Sequence, residues 1–178
     1  MHRNRRLSLP ALALGIFAVL SSGVTRAQEA PRSFDILTAD SVTVFGDVYE
    51  PANVKRPPLI LAFHQGGGDA RGEYTPIIPR LLAEGYAVMT IDQRQCGGVF
   101  EGVNRTVEAL PDGVEYGFCD AYPDLEAALS YAQTQGFGRI IAWGSSYSAA
   151  LAIRLAADLA AYRDMGHDVY ISPGGSIS

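Results

Sequence analysis

Ser146 stands where a side chain of its type could serve as a nucleophile. It lies in Gly144-Ser145-Ser146-Tyr147-Ser148, after the short apolar run 140–143 and before an alanine- and leucine-rich segment with helical spacing. That order reads as strand, tight turn and helix. In a G-x-S-x-G turn of this kind the serine hydroxyl projects into a cleft at the end of a central strand, and the next backbone N–H faces a developing oxyanion. Ser146 is therefore the candidate nucleophile, and Tyr147 supplies the candidate N–H. The last position holds Ser148 in place of Gly. Small residues are needed there so that helix and strand can approach, and Ser148 with Ala149 and Ala150 meets that need. Read alone, the pentapeptide also fits a plain turn in which Ser145 or Ser146 caps a helix.

A second stretch bears on the same chemistry. Leu59–Phe63 is a continuous apolar run without alternation, the pattern of a strand buried on both faces of a mostly parallel sheet. It leads into His64-Gln65-Gly66-Gly67-Gly68. Consecutive glycines allow backbone conformations closed to other residues, so an N–H of this loop can turn towards the serine, with Gln65 as the chosen oxyanion donor. A phosphate-binding loop is the rival reading, but neither G-x-x-x-x-G-K-[ST] nor G-x-G-x-x-G is in register. His64 reads as a structural histidine bracing the loop rather than as a catalytic one.

These segments must be positioned by others. Runs 34–37 and 41–49 are β-rich and read as an antiparallel pair at a sheet edge. Residues 74–84 carry apolar side chains at helical spacing and Gly85 closes them; 86–91 is a further strand leading into Asp92-Gln93-Arg94-Gln95-Cys96-Gly97-Gly98. Asp92 stands at a strand's C-terminal end, where α/β folds build their sites; bracing of neighbouring loops, or a pair with Arg94, is the preferred reading. A helix is expected over 121–135, the helix after Ser146 to about residue 161, and one more short strand over 168–172.

The first 27 residues are expected to be a cleaved export signal. His2-Arg3-Asn4-Arg5-Arg6 is a basic leader, 7–19 an apolar stretch broken by Pro10 and Gly15, and Thr25-Arg26-Ala27 a cleavage site after Ala27. The stretch is too short and interrupted for a stable membrane span. Residues 28–178 then form one domain in the periplasm or outside the cell. A net charge of -5 argues against nucleic acid as a partner. In an oxidising compartment Cys96 and Cys119 are expected to form a disulfide across the irregular segment between them. No Cys or His partners sit at metal-ligand spacing, and neither metal nor organic cofactor is expected.

With the glycine loop, the Asp-x-Arg loop and the serine turn in this order and at such separations, the chain resembles the α/β-hydrolase superfamily, most nearly its dienelactone-hydrolase-like or small carboxylesterase members. The resemblance implies a mostly parallel sheet with flanking helices. It also implies acyl transfer: attack by Ser146 on a small-molecule ester, an oxyanion held by Gln65 and Tyr147, and release by water. In this family an acid and a histidine follow the nucleophile. Here His167 is the only histidine after Ser146, with Asp158, Asp164 and Asp168 the only acids. His167 precedes a strand, at the end of the sheet away from the expected site, and is a poor base. The expectation is thus a truncated domain lacking its last strands and helix, with an incomplete triad. Two further readings stay open: an exported binding module that has lost the chemistry, and a peptidase of the same fold. Sequence leaves the oligomeric state undetermined.

Overall fold

The computed structural model describes residues 30–95, 97–160 and 169–172. The proposed signal segment, Cys96, His167, Asp164 and Asp168 lie outside the described residues.

Six strands form one sheet: β1 (Arg32–Leu37), β2 (Thr43–Tyr49), β3 (Leu59–Phe63), β4 (Ala87–Ile91), β5 (Ile140–Gly144) and β6 (Val169–Ser172), in the order β1-β2-β4-β3-β5-β6. β2 runs antiparallel to both β1 and β4, and the pairs β4/β3, β3/β5 and β5/β6 are parallel. The expected edge pair is present, with Phe34 opposite Gly46. Every residue of β3 and β4 is buried, as unalternating apolar runs require.

Alternate residues of these strands feed two cores. Leu59, Leu61, Phe63, Met89, Ile91 and Ala142 pack with Leu125, Ala128 and Leu129 of α4 (Tyr122–Thr134) and with Leu151, Ala152 and Leu155 of α5 (Tyr147–Ala160). Ile60, Ala62 and Val88 face the other way, onto Tyr74 of α1 (Ala70–Tyr74) and Ile78 of α2 (Ile78–Ala83). The helix expected over 74–84 is thus shortened to α2, and α1, which the sequence reading did not expect, lies ahead of it and ends at Tyr74. Pro76 falls between them and Pro79 in the first turn of the second, and a proline can neither donate to a preceding turn nor avoid its carbonyl. No helix among the described residues is long and apolar enough to cross a membrane.

The strand order decides where a site can form. From β3 the chain passes through α1 and α2 on one face to β4, whereas β5 leads into α5 on the opposite face. Between the carboxyl ends of the adjacent strands β3 and β5 the connections therefore diverge, leaving the crevice that open α/β sheets use for ligands. The glycine loop and Ser146 are the two segments that border it.

Candidate active site

Strand β5 ends in a turn that bends too sharply for ordinary backbone. Ser146 has φ 55, in the left-handed region, and its side chain is exposed. The Ser145 N–H donates to the Phe63 carbonyl at 3.0 Å, tying the turn to the end of β3. The Ser148 and Ala149 N–H groups donate to the carbonyls of Ser145 and Ser146 at 3.1 Å each, and α5 begins. A Cβ on Gly144 would lie 2.4 Å from the Ser148 carbonyl oxygen and 2.5 Å from the Ala149 nitrogen, so only glycine lets strand and helix meet here. A helix cap of the plain kind needs extended backbone at the capping residue; the left-handed Ser146 does not have it.

Ser148 is wholly buried and does more than stay small. Its hydroxyl donates to the His64 carbonyl and accepts from Gln93 Nε2 at 2.9 Å. Gln93, also fully buried, donates from the same amide to the Tyr147 hydroxyl at 2.8 Å, and its backbone carbonyl accepts from Asn104 Nδ2 at 2.7 Å. One glutamine thus locks the β4 loop to the turn. No periodicity or motif marks Gln93 in the sequence; a polar side chain directly after a buried strand is the only signal.

His64 braces its loop. Its Nε2 accepts from the Gln93 N–H at 2.8 Å, which assigns the proton to Nδ1, the donor to the Gln65 carbonyl at 2.8 Å. Burial holds its pKa below the usual histidine value, although nearby backbone and carboxylates pull the other way, so the ring is neutral with both nitrogens engaged. Gln65 directs its N–H to Glu73 of α1: the carboxylate Oε2 accepts it at 2.8 Å. Sequence reading misses Glu73, since α1 carries no feature linking it to the loop before it. Tyr74, next to it, donates its hydroxyl to the Phe63 carbonyl at 2.7 Å, and burial raises its pKa well above the ordinary phenol value.

Asp92 braces loops: it accepts from the Ala70 N–H at 2.8 Å and from Arg105 Nε at 2.6 Å. The suggested pair with Arg94 does not form. Arg94 is buried against Asp124 of α4, with Nε and Nη2 at 2.9 and 2.6 Å from one carboxylate oxygen, and also binds Asp40. Burial would lower the guanidinium pKa, and the two carboxylates raise it instead. Asp92 turns to Ala70 at the start of α1 and to Arg105 of α3 (Arg105–Glu108), whereas Arg94, two residues on, turns to α4.

The expected disulfide is overturned. Cys119 is an exposed free thiol, on the 3₁₀ turn Phe118–Ala121. That turn spends Phe118 on the site, where its ring stacks on Tyr147 with centroids 4.7 Å apart, and leaves Cys119 facing outward. Asp158 is occupied between α4 and α5, where it accepts from the Tyr122 hydroxyl and lies 3.6 Å from Arg154. Among the described residues no group of three or more His, Cys, Asp or Glu side chains could hold a metal ion.

The same fold recurs in solved structures. The Pyrococcus furiosus esterase Pf2001 superposes with a TM-score of 0.51 at 22% identity, over 70% of this chain and 46% of that one. Brefeldin A esterase, a bacterial homologue of human hormone-sensitive lipase, gives 0.56 at 23% identity over 86% of this chain and 39% of its own. The Pyrobaculum calidifontis esterase gives 0.56 at 21% identity over 79% and 42%. The fold is that of the α/β-hydrolases. Among curated proteins, the quorum-quenching protein AidA of Acinetobacter baumannii (strain MDR-ZJ06) is 29% identical over 114 residues, 62% of this chain and 34% of AidA. No protein-family model matches. The chain therefore spans about a third of the curated relative and less than half of each of these solved structures.

Within the α/β-hydrolase frame the three sequence motifs have separable duties. The serine turn presents a hydroxyl, the glycine loop presents backbone, and the loop after β4 fastens the two through Gln93 and Asn104. Chemically, a strained and exposed hydroxyl beside two chain segments rich in backbone N–H suits attack on a carbonyl, given a base to take its proton.

Proposed function

We propose that this chain is the nucleophile-bearing part of an exported serine hydrolase that cleaves small carboxylic esters. Ser146 attacks the carbonyl carbon, its proton passing to a base; the tetrahedral oxyanion takes N–H bonds from Tyr147 and Gln65; the alcohol leaves, and water releases the acid. The single observation that carries this reading is the left-handed, exposed Ser146 at the turn between β5 and α5, where the strand order leaves the ends of β3 and β5 side by side. The esterase neighbours and AidA support it at the level of fold. Quorum quenching, the role for which AidA is named, is a biological readout to apply to this chain.

Gln65 serves as donor only after Glu73 has let go of its N–H. The proton acceptor is assigned to chain beyond the described residues, because His64, the one histidine among them, has both ring nitrogens in use. That occupied state also favours a second reading, an exported binding module on the same scaffold. Hydrolysis of a short-acyl nitrophenyl ester, compared with that by Ser146→Ala, separates the two. Loss of essentially all turnover in the variant is expected, and equal turnover removes the nucleophile assignment. The intact mass of the protein from its own source tests both removal of residues 1–27 and whether further chain supplies an acid and a histidine.

A further inference from the structure

The segment joining β4 to α4 carries an unusual surface. Five of the eight large apolar side chains left exposed among the described residues fall within it: Val99, Phe100, Val103, Val114 and Phe118. Scattered exposed apolar residues need no explanation, but five on one segment, two of them against the glycine loop, do. Nor is the segment loose. Asn104 is buried and donates to the Gln93 and Gln95 carbonyls at 2.7 and 2.9 Å, the Val99 N–H donates to the Gly67 carbonyl at 2.9 Å, and Gln95 Nε2 donates to the Tyr116 carbonyl at 2.6 Å. The polar groups hold the segment down while its hydrocarbon faces solvent.

Phe118 is the member that reaches the site. Its ring lies on Tyr147, the residue after the nucleophile, and over Gly66 in the glycine loop, where a Cβ would come within 2.6 Å of Phe118 Cε1. Phe118 therefore rests on both segments that flank the carbonyl of a bound ester, yet 56% of it stays exposed. Phe100 borders the same loop, 3.1 Å from where a Gly68 Cβ would stand.

We infer that Phe118 is a specificity-determining residue: its free face is the wall on which the acyl hydrocarbon chain of the ester lies, so that this site selects esters of medium-length apolar acids over acetate. The acyl side is assigned because Phe118 stacks on the nucleophile's own helix, alongside the acyl group that stays bonded to Ser146 after the alcohol has left. The inference rests on the hydrolase reading above and adds the substrate class to it.

Alkylboronic acids from methyl to hexyl, which place an alkyl chain where an acyl chain would be, test it by calorimetric titration of the whole protein. Affinity should rise about threefold per methylene, in line with burial of one CH₂ against an open wall. Phe118→Ala should flatten that series to less than about 1.5-fold per methylene, while Phe118→Leu should keep part of the slope. An unaltered slope in Phe118→Ala, or no chain-length dependence in the native protein, overturns the inference. Ser146→Ala reports on the other question: undiminished boronate binding there removes the nucleophile assignment, and a slope that still depends on Phe118 would leave the wall standing.

Discussion

Replacing Ser146 by glycine should stabilise the protein while removing its hydroxyl. The perturbation works on backbone alone. Ser146 holds φ 55, a region that costs a residue with a Cβ about 1–2 kcal/mol and costs glycine essentially nothing. Against that gain, glycine brings more freedom to the unfolded chain, worth about 0.4–1 kcal/mol. The difference is a net gain of about 0.5–1 kcal/mol, or about 2–4 °C in Tm per kcal/mol for a chain of this size. Ser146→Ala keeps the strain and loses only an exposed hydroxyl, so its stability should stay within about 0.5 kcal/mol of the native value. Urea unfolding followed by the fluorescence of Trp143, the only tryptophan, measures both. A plain helix-capping serine predicts the reverse pattern: a loss of a few tenths of a kcal/mol with glycine and about 1 kcal/mol with alanine. A glycine variant less stable than the native protein would therefore refute the strained-turn account, and with it the main reason for assigning Ser146 as nucleophile.

Other consequences follow from the hydrogen bonds around the turn. Ser148→Gly, which restores the commoner residue of the motif, strands the buried His64 carbonyl and should cost about 1–3 kcal/mol in urea unfolding; a cost under about 0.5 kcal/mol would mean the hydroxyl is dispensable. Glu73→Gln removes a negative charge from the N–H proposed for the oxyanion, so labelling of Ser146 by a fluorophosphonate should speed up by about tenfold or more, a fraction of what one such donor contributes. A slower or unchanged rate would take Gln65 out of the site. Because burial lowers the His64 pKa, the unfolded chain takes up a proton as pH drops below about 6.5 while the folded one does not. Stability should therefore decline on acidification through that window, by up to about 1.4 kcal/mol per pH unit, and His64→Gln should abolish that slope. Below about pH 4 a further decline belongs to Asp47, whose burial would raise its pKa but whose bonds to Arg71 and Ser33 hold it lower.

The amino-acid order by itself determined the layers of this protein and the place of its candidate nucleophile. Leu59–Phe63 and Ala87–Ile91 are apolar at every or nearly every position because both faces of those strands are covered, and that environment is written locally, residue by residue. Gly144 and the small residues after it are likewise local: the turn needs them whatever surrounds it. Tertiary structure decided the partners. Gln93 bonds residues 54 and 55 positions away, Arg94 takes Asp124 and Asp40 while Asp92 takes Arg105, Glu73 reaches back to Gln65, and Phe118 rather than a Cys96–Cys119 bridge fastens the long loop to the site. None of these is periodic. A hydrophobic pattern records whether a position is buried, since burial depends on the average polarity around it; a hydrogen bond depends on which two groups the strand order brings within about 3 Å, and that order exists only once the chain has folded.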